Sequence, residues 1–391
     1  MTNDAKVPVW LDCDPGHDDA FAILLAAYHP SMDLLGISTV HGNASLVNTT
    51  RNAGSILTAI GKPDIPVYSG AAKGLIRPAV HADAIHGESG LDGTHLLPTP
   101  LTPPKAEPCI PAIAAALSKT QPGTAWVVAT GALTNIAMLF QAYPELASHI
   151  AGLSIMGGSI GSKFTNAPMG VVDDTTRIGN YTPWAEFNIL VDPEAASFLL
   201  SHPILSLKTT LIPLDVTHLV LATEDVQRLL TFGKKGSSVS ASESPAELID
   251  DGKKECSTLR KMLLELLLFF AKTYAEVFGI TAGPPLHDPL AVAAILDSIV
   301  ASTATSNPTP LLQDYLPAGK RERYAVQVIT EGSHAEALAG KAQTGRTVAT
   351  LLGEGEEGVR IPRGLNVERF WGLIEDCLVV ADEVNASRGL V

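Results

Sequence analysis

The chain alternates two kinds of apolar pattern from its N-terminal end. Short β-rich runs predict strands over 7–12, 34–40 and 65–68, and helical segments fall between them at 18–28 and 46–60. Pro30 ends the first of these helices, and Gly61 and Pro63 end the second. The rhythm resumes with a strand over 125–130, a helix over 133–143 and a strand over 153–156. Strands that alternate with helices in this way predict an α/β fold with an open, mostly parallel sheet flanked by helices on both faces. Nearer the C-terminus, strands are expected at 324–330 and 347–352 and a closing helix at 367–382. The apolar run 262–270, interrupted by Glu265, reads as a buried helix too short to span a bilayer.

Three stretches break the rhythm. Residues 71–108 are rich in Pro, Gly and His, 159–180 form an apparent insertion, and 233–255 are small, polar and charged. The last of these is read as a mobile loop. No linker separates two self-sufficient halves, so residues 1–391 are read as a single domain.

Composition narrows the partners. The chain carries 41 acidic against 27 basic residues, a formal charge of −14, and nucleic acid or anionic membrane would reward the opposite balance. With 46% hydrophobic and 17% charged residues it has the profile of a chain with a large core. The first residues, MTNDAKVPVW, show no basic region followed by an apolar stretch, so a cytoplasmic location is expected. Cys13, Cys109, Cys256 and Cys377 are scattered and read as core residues. The Asn-x-Ser/Thr triplets at Asn43, Asn48 and Asn385 are read as accidental.

The densest chemical signal is Asp12-Cys13-Asp14-Pro15-Gly16-His17-Asp18-Asp19, at the carboxyl end of the first expected strand, where open α/β sheets bind ligands. Four carboxylates in eight residues repel one another unless a cation neutralises them, and oxygen-only ligands suit a hard divalent ion such as Ca²⁺ or Mg²⁺. An acidic helix N-terminus open to solvent is the plainer alternative. An EF-hand is excluded, because Ile23 stands where its bidentate Glu would fall.

The segment D-x-D-P-G-x-D-D resembles the start of the inosine-uridine-type nucleoside hydrolases, and four further segments resemble that family in matching order. They are VHGNASL with Asn43, ATGALTNI with Thr130 and, after Met156-Gly157-Gly158, the run NYTPWAEFNILVD with Asn180, Glu186 and Asn188. The last is LHDPL with His287 and Asp288. The resemblance covers residues from about 7 to 300. It implies a calcium ion held by Asp14, Asp19, Asp288 and the carbonyl of Thr130. Asp18, Asn43, Met156, Asn180, Glu186 and Asn188 would bind the substrate, with Asp18, Asn180, Glu186 and Asn188 at its sugar, and Asp12 would orient the site from behind. Asp14 would act as general base on a water attacking an oxocarbenium-like ribosyl centre.

The same resemblance places His287 as the leaving-group acid or base contact and His86 as a second base-side histidine. Tyr274 and Phe278 are candidate stacking partners for the base. It also implies a homo-dimer or homo-tetramer and a small nucleoside substrate, with no nucleic acid or membrane partner. Two alternatives remain open at this point. Asp12-x-Asp14 also resembles the start of haloacid dehalogenase-type phosphatases, although Gly16 stands where those carry Thr or Val, and a non-catalytic nucleoside- or cation-binding protein would need the same fold. The stretch between Gly158 and Asn180, including Pro168, Asp173 and Asp174, is longer than the family's usual segment, and a lid or an interface is expected there.

Overall fold

The computed structural model describes residues 6–172, 175–236, 243–302, 310–314 and 321–389. Its centre is a six-stranded sheet. In chain order the strands are β1 (Val7–Cys13), β2 (Met32–Thr39), β3 (Val67–Ser69), β4 (Trp126–Ala129), β5 (Gly152–Met156) and, after a small hairpin of β6 (Val171–Val172) with β7 (Thr175–Thr176), β8 (Thr209–Ile212). The spatial order is β3-β2-β1-β4-β5-β8 and every pairing is parallel. The chain builds outward from β1 to β3, then returns to add β4 on the other side. The carboxyl ends of β1 and β4 therefore flank the point where the order reverses, the usual ligand crevice of an open parallel sheet.

Both faces of the sheet are covered, which is why β1, β4 and β5 read as continuous apolar runs. One core layer packs Leu11, Phe21, Leu24, Leu25 and Leu290 under the helices Asp19–Tyr28 and Asp288–Ala293. The other packs Trp10, Val127, Ile136, Phe140 and Leu199 under the helices Thr134–Ala142 and Pro193–Ser201. Trp10 fits because Gly36 faces its ring from β2, where a Cβ would come within 3.0 Å of it.

The expected buried helix is longer than its apolar run: it spans Thr258–Phe278, capped by Ser257 and ended by Gly279 in the left-handed conformation that glycine adopts without strain. Near its start Arg260 is buried and paired with Glu375 (2.8 Å) and Asp382 (2.6 Å) on the C-terminal helix Val367–Ser387, which fixes that end. Part of the 233–255 stretch is helical, since Ser244 and Glu247 form a capping box on the helix Pro245–Asp250; residues 237–242 lie outside the described ones. The 71–108 stretch contains the short helix Asp83–His86. Strand β8 and the helix Cys109–Ser118 are not apparent from the sequence pattern. Among the described residues no helix is long and apolar enough to cross a membrane.

Phe140 is 1% exposed in the core layer under the helix Thr134–Ala142. Phe140→Ala is expected to lower the unfolding free energy by about 3–5 kcal/mol, read by urea denaturation, while turnover by the folded fraction is unchanged.

Candidate active site

The acidic motif bends sharply as it leaves β1. Asp14 follows the strand directly, Asp19 opens the helix Asp19–Tyr28, and Asp18 sits at its N-cap without capping it. Asp288 opens the neighbouring helix Asp288–Ala293. Both helix N-termini thus direct their partial positive ends at the acids, which favours negative charge there. Asp12, Asp14, Asp18, Asp19 and Asp288 are all buried.

Backbone and side-chain donors hold each carboxylate. The Asn43 amide donates to Asp14 Oδ2 (2.7 Å). Asp19 Oδ2 accepts from the Gly16 amide (2.8 Å), and Asp19 Oδ1 from the Thr130 hydroxyl (3.0 Å). Asp18 Oδ2 accepts from the amides of His287 (3.2 Å) and Asp288 (3.4 Å). Asp14 lies between two glycines, because a Cβ on Gly42 would fall 1.9 Å from its Oδ2 and one on Gly131 2.5 Å from its Oδ1.

Asp12 lies beneath this layer. Its Oδ1 accepts from Ser38, which Trp10 Nε1 also contacts (2.9 Å), and from Asn135 Nδ2 (2.7 Å). Asp12 does not line the cleft.

The electrostatics ask for a cation. Burial raises the carboxyls of Asp12 and Asp18 to about 7 and of Asp19 to about 6. Burial, reinforced by the neighbouring acids, pushes Asp14 and Asp288 well above the carboxylate range. Carboxylate oxygens of Asp18, Asp19 and Asp288 lie within 4.8 Å of one another, and Asp14 Oδ1 is buried with no hydrogen-bond partner. All these donors are oxygens, and a hard divalent cation fits them. Of the residues expected as its ligands, Asp19 and Asp288 are in that group, Thr130 adjoins it through its hydrogen bond to Asp19, Asp14 is not in it, and Asp18 joins it. The Thr130 carbonyl also accepts from Asn188 Nδ2 (2.9 Å).

Of these acids, Asp18 and Asp288 form the floor of a cleft, and Asp14 and Asp19 do not line it. Its walls bring together residues distant in sequence: Asn43, Thr130, Met156, Asn180, Glu186 and Asn188. Glu186 caps the helix Phe187–Val191, accepting from the amides of Asn188 (2.8 Å), Ile189 (3.1 Å) and Gly158 (2.9 Å). Burial nevertheless raises it to about 7. Asn180 Oδ1 accepts from the Phe187 amide (2.9 Å).

The cleft is also lined by rings, those of Tyr181, Phe187, Phe270, Tyr274, Phe278, His86 and His287. Tyr274 is packed edge-on against Phe270 and tilted against Phe278, with ring centroids 4.8 and 4.9 Å apart, and its hydroxyl meets His287 Nε2 at 2.7 Å. The Thr217 hydroxyl meets His287 Nδ1 at 2.7 Å, so both ring nitrogens are engaged. Burial holds His287 and His86 well below the ordinary histidine range, hence neutral. His86 Nδ1 lies 2.9 Å from His17 Nδ1, and His17 Nε2 lies 2.8 Å from the Asp92 carbonyl.

Several of these residues escape a motif reading. His17 lies inside the acidic motif, but its partner His86 is far along the chain. Phe270 and Thr217 sit in apolar or helical contexts with no chemical signature of their own. Asp173 and Asp174 of the insertion lie outside the described residues.

Comparison with known proteins agrees with this geometry. The family model described as inosine-uridine preferring nucleoside hydrolase matches residues 9–372. The chain is 40% identical over 297 residues to a uridine nucleosidase of Saccharomyces cerevisiae, covering 75% of this chain and 77% of that protein. It is 38% identical over 291 residues to the pyrimidine-specific ribonucleoside hydrolase RihA of Escherichia coli, covering 74% and 79%. Among solved structures, a purine-preferring ribonucleoside hydrolase from Gardnerella vaginalis superposes with a TM-score of 0.73 at 25% identity, over 96% of this chain and 99% of that one.

The raised carboxyls fix a sign for pH dependence. The folded, cation-free protein keeps protons on Asp12, Asp18 and Asp19 up to about pH 6–7, whereas the unfolded chain releases them near 3.8. Folded protein then binds more protons, so its stability falls as pH rises from about 4 through about 7. Added Ca²⁺ is expected to raise the melting temperature more at about pH 8 than at about pH 5. Scanning fluorimetry after chelation checks this, and an equal calcium shift at both pH values would count against a cation among these acids.

Proposed function

The chain belongs to the inosine-uridine preferring nucleoside hydrolase family, and on that premise we propose that it hydrolyses the N-glycosidic bond of ribonucleosides to ribose and free base. The observation that carries the reading is one cleft lined together by the buried carboxylates of Asp18 and Asp288, by amide and carboxylate side chains and by aromatic rings. The floor suits a ribosyl group that becomes cationic as the base departs, and the aromatic rings suit the flat base.

In this reading Asp14, Asp19, Asp288 and the Thr130 carbonyl hold calcium, with Asp18 close to the ribose hydroxyls. Bound there, the ion supplies fixed positive charge beside those hydroxyls and lowers the pKa of water in its shell. Asp14 Oδ1, which has no protein partner, takes the proton of the attacking water. Asn43, Asn180, Glu186 and Asn188 hold the sugar. Glu186 spends three acceptor sites on backbone amides, so its place is fixed before substrate arrives, and Asn188 Nδ2 is spent on the Thr130 carbonyl, which leaves its Oδ1 for a hydroxyl.

Base departure falls to the Tyr274–His287 pair and to His86. The neutral imidazole and the phenol share one hydrogen bond, a link through which a proton can move toward the base. The two relatives near 40% identity are named for uridine and for pyrimidines, which favours uridine and cytidine over inosine and adenosine.

Incubation with these four nucleosides and measurement of free ribose tests the activity, and release from none of them overturns it. Asp14→Asn and Asp288→Asn are each expected to lower kcat/KM by roughly 10³-fold while unfolding remains cooperative. His287→Ala is expected to slow uridine cleavage by about 10²-fold and to spare p-nitrophenyl riboside, whose leaving group needs no protonation. Equal losses on both substrates would remove His287 from the departure step.

A further inference from the structure

The segment that lengthens the chain between Gly158 and Asn180 is held by Thr347 at Ser159 and by Arg363 and Tyr324 at Phe164, and four further contacts fasten it to one short stretch, residues 213–218. The amides of Ile160 and Gly161 donate to the two carboxylate oxygens of Asp215 at 2.7 and 2.9 Å. The Thr165 hydroxyl donates to the Asp215 carbonyl. His218 Nδ1 donates to the Pro168 carbonyl at 2.5 Å, and Met169 packs against the main core. Beyond it Gly170 rests on Phe278 of the aromatic lining, where a Cβ would come within 3.2 Å of the Phe278 Cβ.

The same stretch carries Thr217, whose hydroxyl meets His287 Nδ1, and the His218 ring packs 5.5 Å from the His287 ring, centroid to centroid. Asp215, Thr217 and His218 are all buried, and His218 Nε2 has no partner. One turn of chain therefore grips the inserted segment through two residues and the base-side histidine through a third.

We propose that residues 214–218 form a clamp through which the inserted segment 160–170 sets the position of His287, which makes Asp215, Thr217 and His218 positioning residues for base departure. The proposal rests on the nucleoside hydrolase reading above. Thr217 fixes which ring nitrogen of His287 faces Tyr274, and Asp215 and His218 fix Thr217 by anchoring the turn that carries it. The inserted segment is on this account a buttress of the leaving-group side and not a cover over the sugar.

The test uses the full chain and two substrates, the best natural nucleoside of the four and p-nitrophenyl riboside. Thr217→Val, which removes only the hydroxyl contact, is expected to lower kcat on the nucleoside by roughly tenfold or more, with KM little changed and kcat on the nitrophenyl riboside within about threefold. Asp215→Asn and His218→Phe are expected to split the two substrates in the same direction. Because all three act along one path, the Asp215→Asn/Thr217→Val double variant should fall no further than the weaker single variant. Equal losses on both substrates, additive losses in the double variant, or no loss in Thr217→Val overturn the clamp. A wild-type protein that releases ribose from neither substrate overturns the hydrolase reading and the clamp together, whereas normal wild-type turnover with unsplit variants overturns the clamp alone.

Discussion

Everything in this molecule is arranged around mutual repulsion among carboxylates that are kept out of water. Asp14, Asp18, Asp19 and Asp288 are each buried, burial raises every one of them, and like charge adds to it at Asp14, Asp18 and Asp288. A protein with no use for a positive charge at this point would lose stability by keeping such a cluster. The surroundings answer the repulsion with two helix N-termini and with amides from Gly16, Asn43, His287 and Asp288. These partial charges make the cluster tolerable and leave oxygens free to face a cation and a sugar.

The sheet explains how the acids meet. Asp14 and Thr130 leave adjacent strands β1 and β4 at the reversal of strand order, so residues far apart in the chain are neighbours at the crevice. Asp288 arrives from a third direction on the helix packed against Asp19–Tyr28. The amide and aromatic residues of the cleft are added by loops and by one long helix, which leaves Met156 at the end of β5 as the sheet residue among those that line it.

Much of this was legible before any coordinates. Strand β1, the acid-bearing turn and the helix behind it follow from local pattern alone, because β-rich residues, Pro-Gly and a helix-forming apolar run fix each in turn. The edge strand β8 was not legible, since TTLI is too short to stand out and its register depends on β5. The capped helix Pro245–Asp250 was hidden in a polar stretch, where Ser244 and Glu247 carry the only signal. In the site, the acids and amides are visible because their chemistry is unusual in a run of sequence. The contacts of His287 with Thr217 and Tyr274 are not, because partner choice there is decided by tertiary packing.

The helix Thr258–Phe278 gives the aromatic lining an unusual mechanical situation. It is riveted near its first turn by the buried Arg260, Glu375 and Asp382 group, while Tyr274 and Phe278 ride on its far end. At 1.5 Å of rise per residue the rings sit roughly 21–27 Å from the rivet. Over that arm a tilt of only about 2–3° carries a ring about 1 Å, enough to spoil a reacting geometry. The ion group at the start of the helix and the packing of Phe270, Tyr274 and Phe278 at its other end thus share the task of holding the rings to that tolerance.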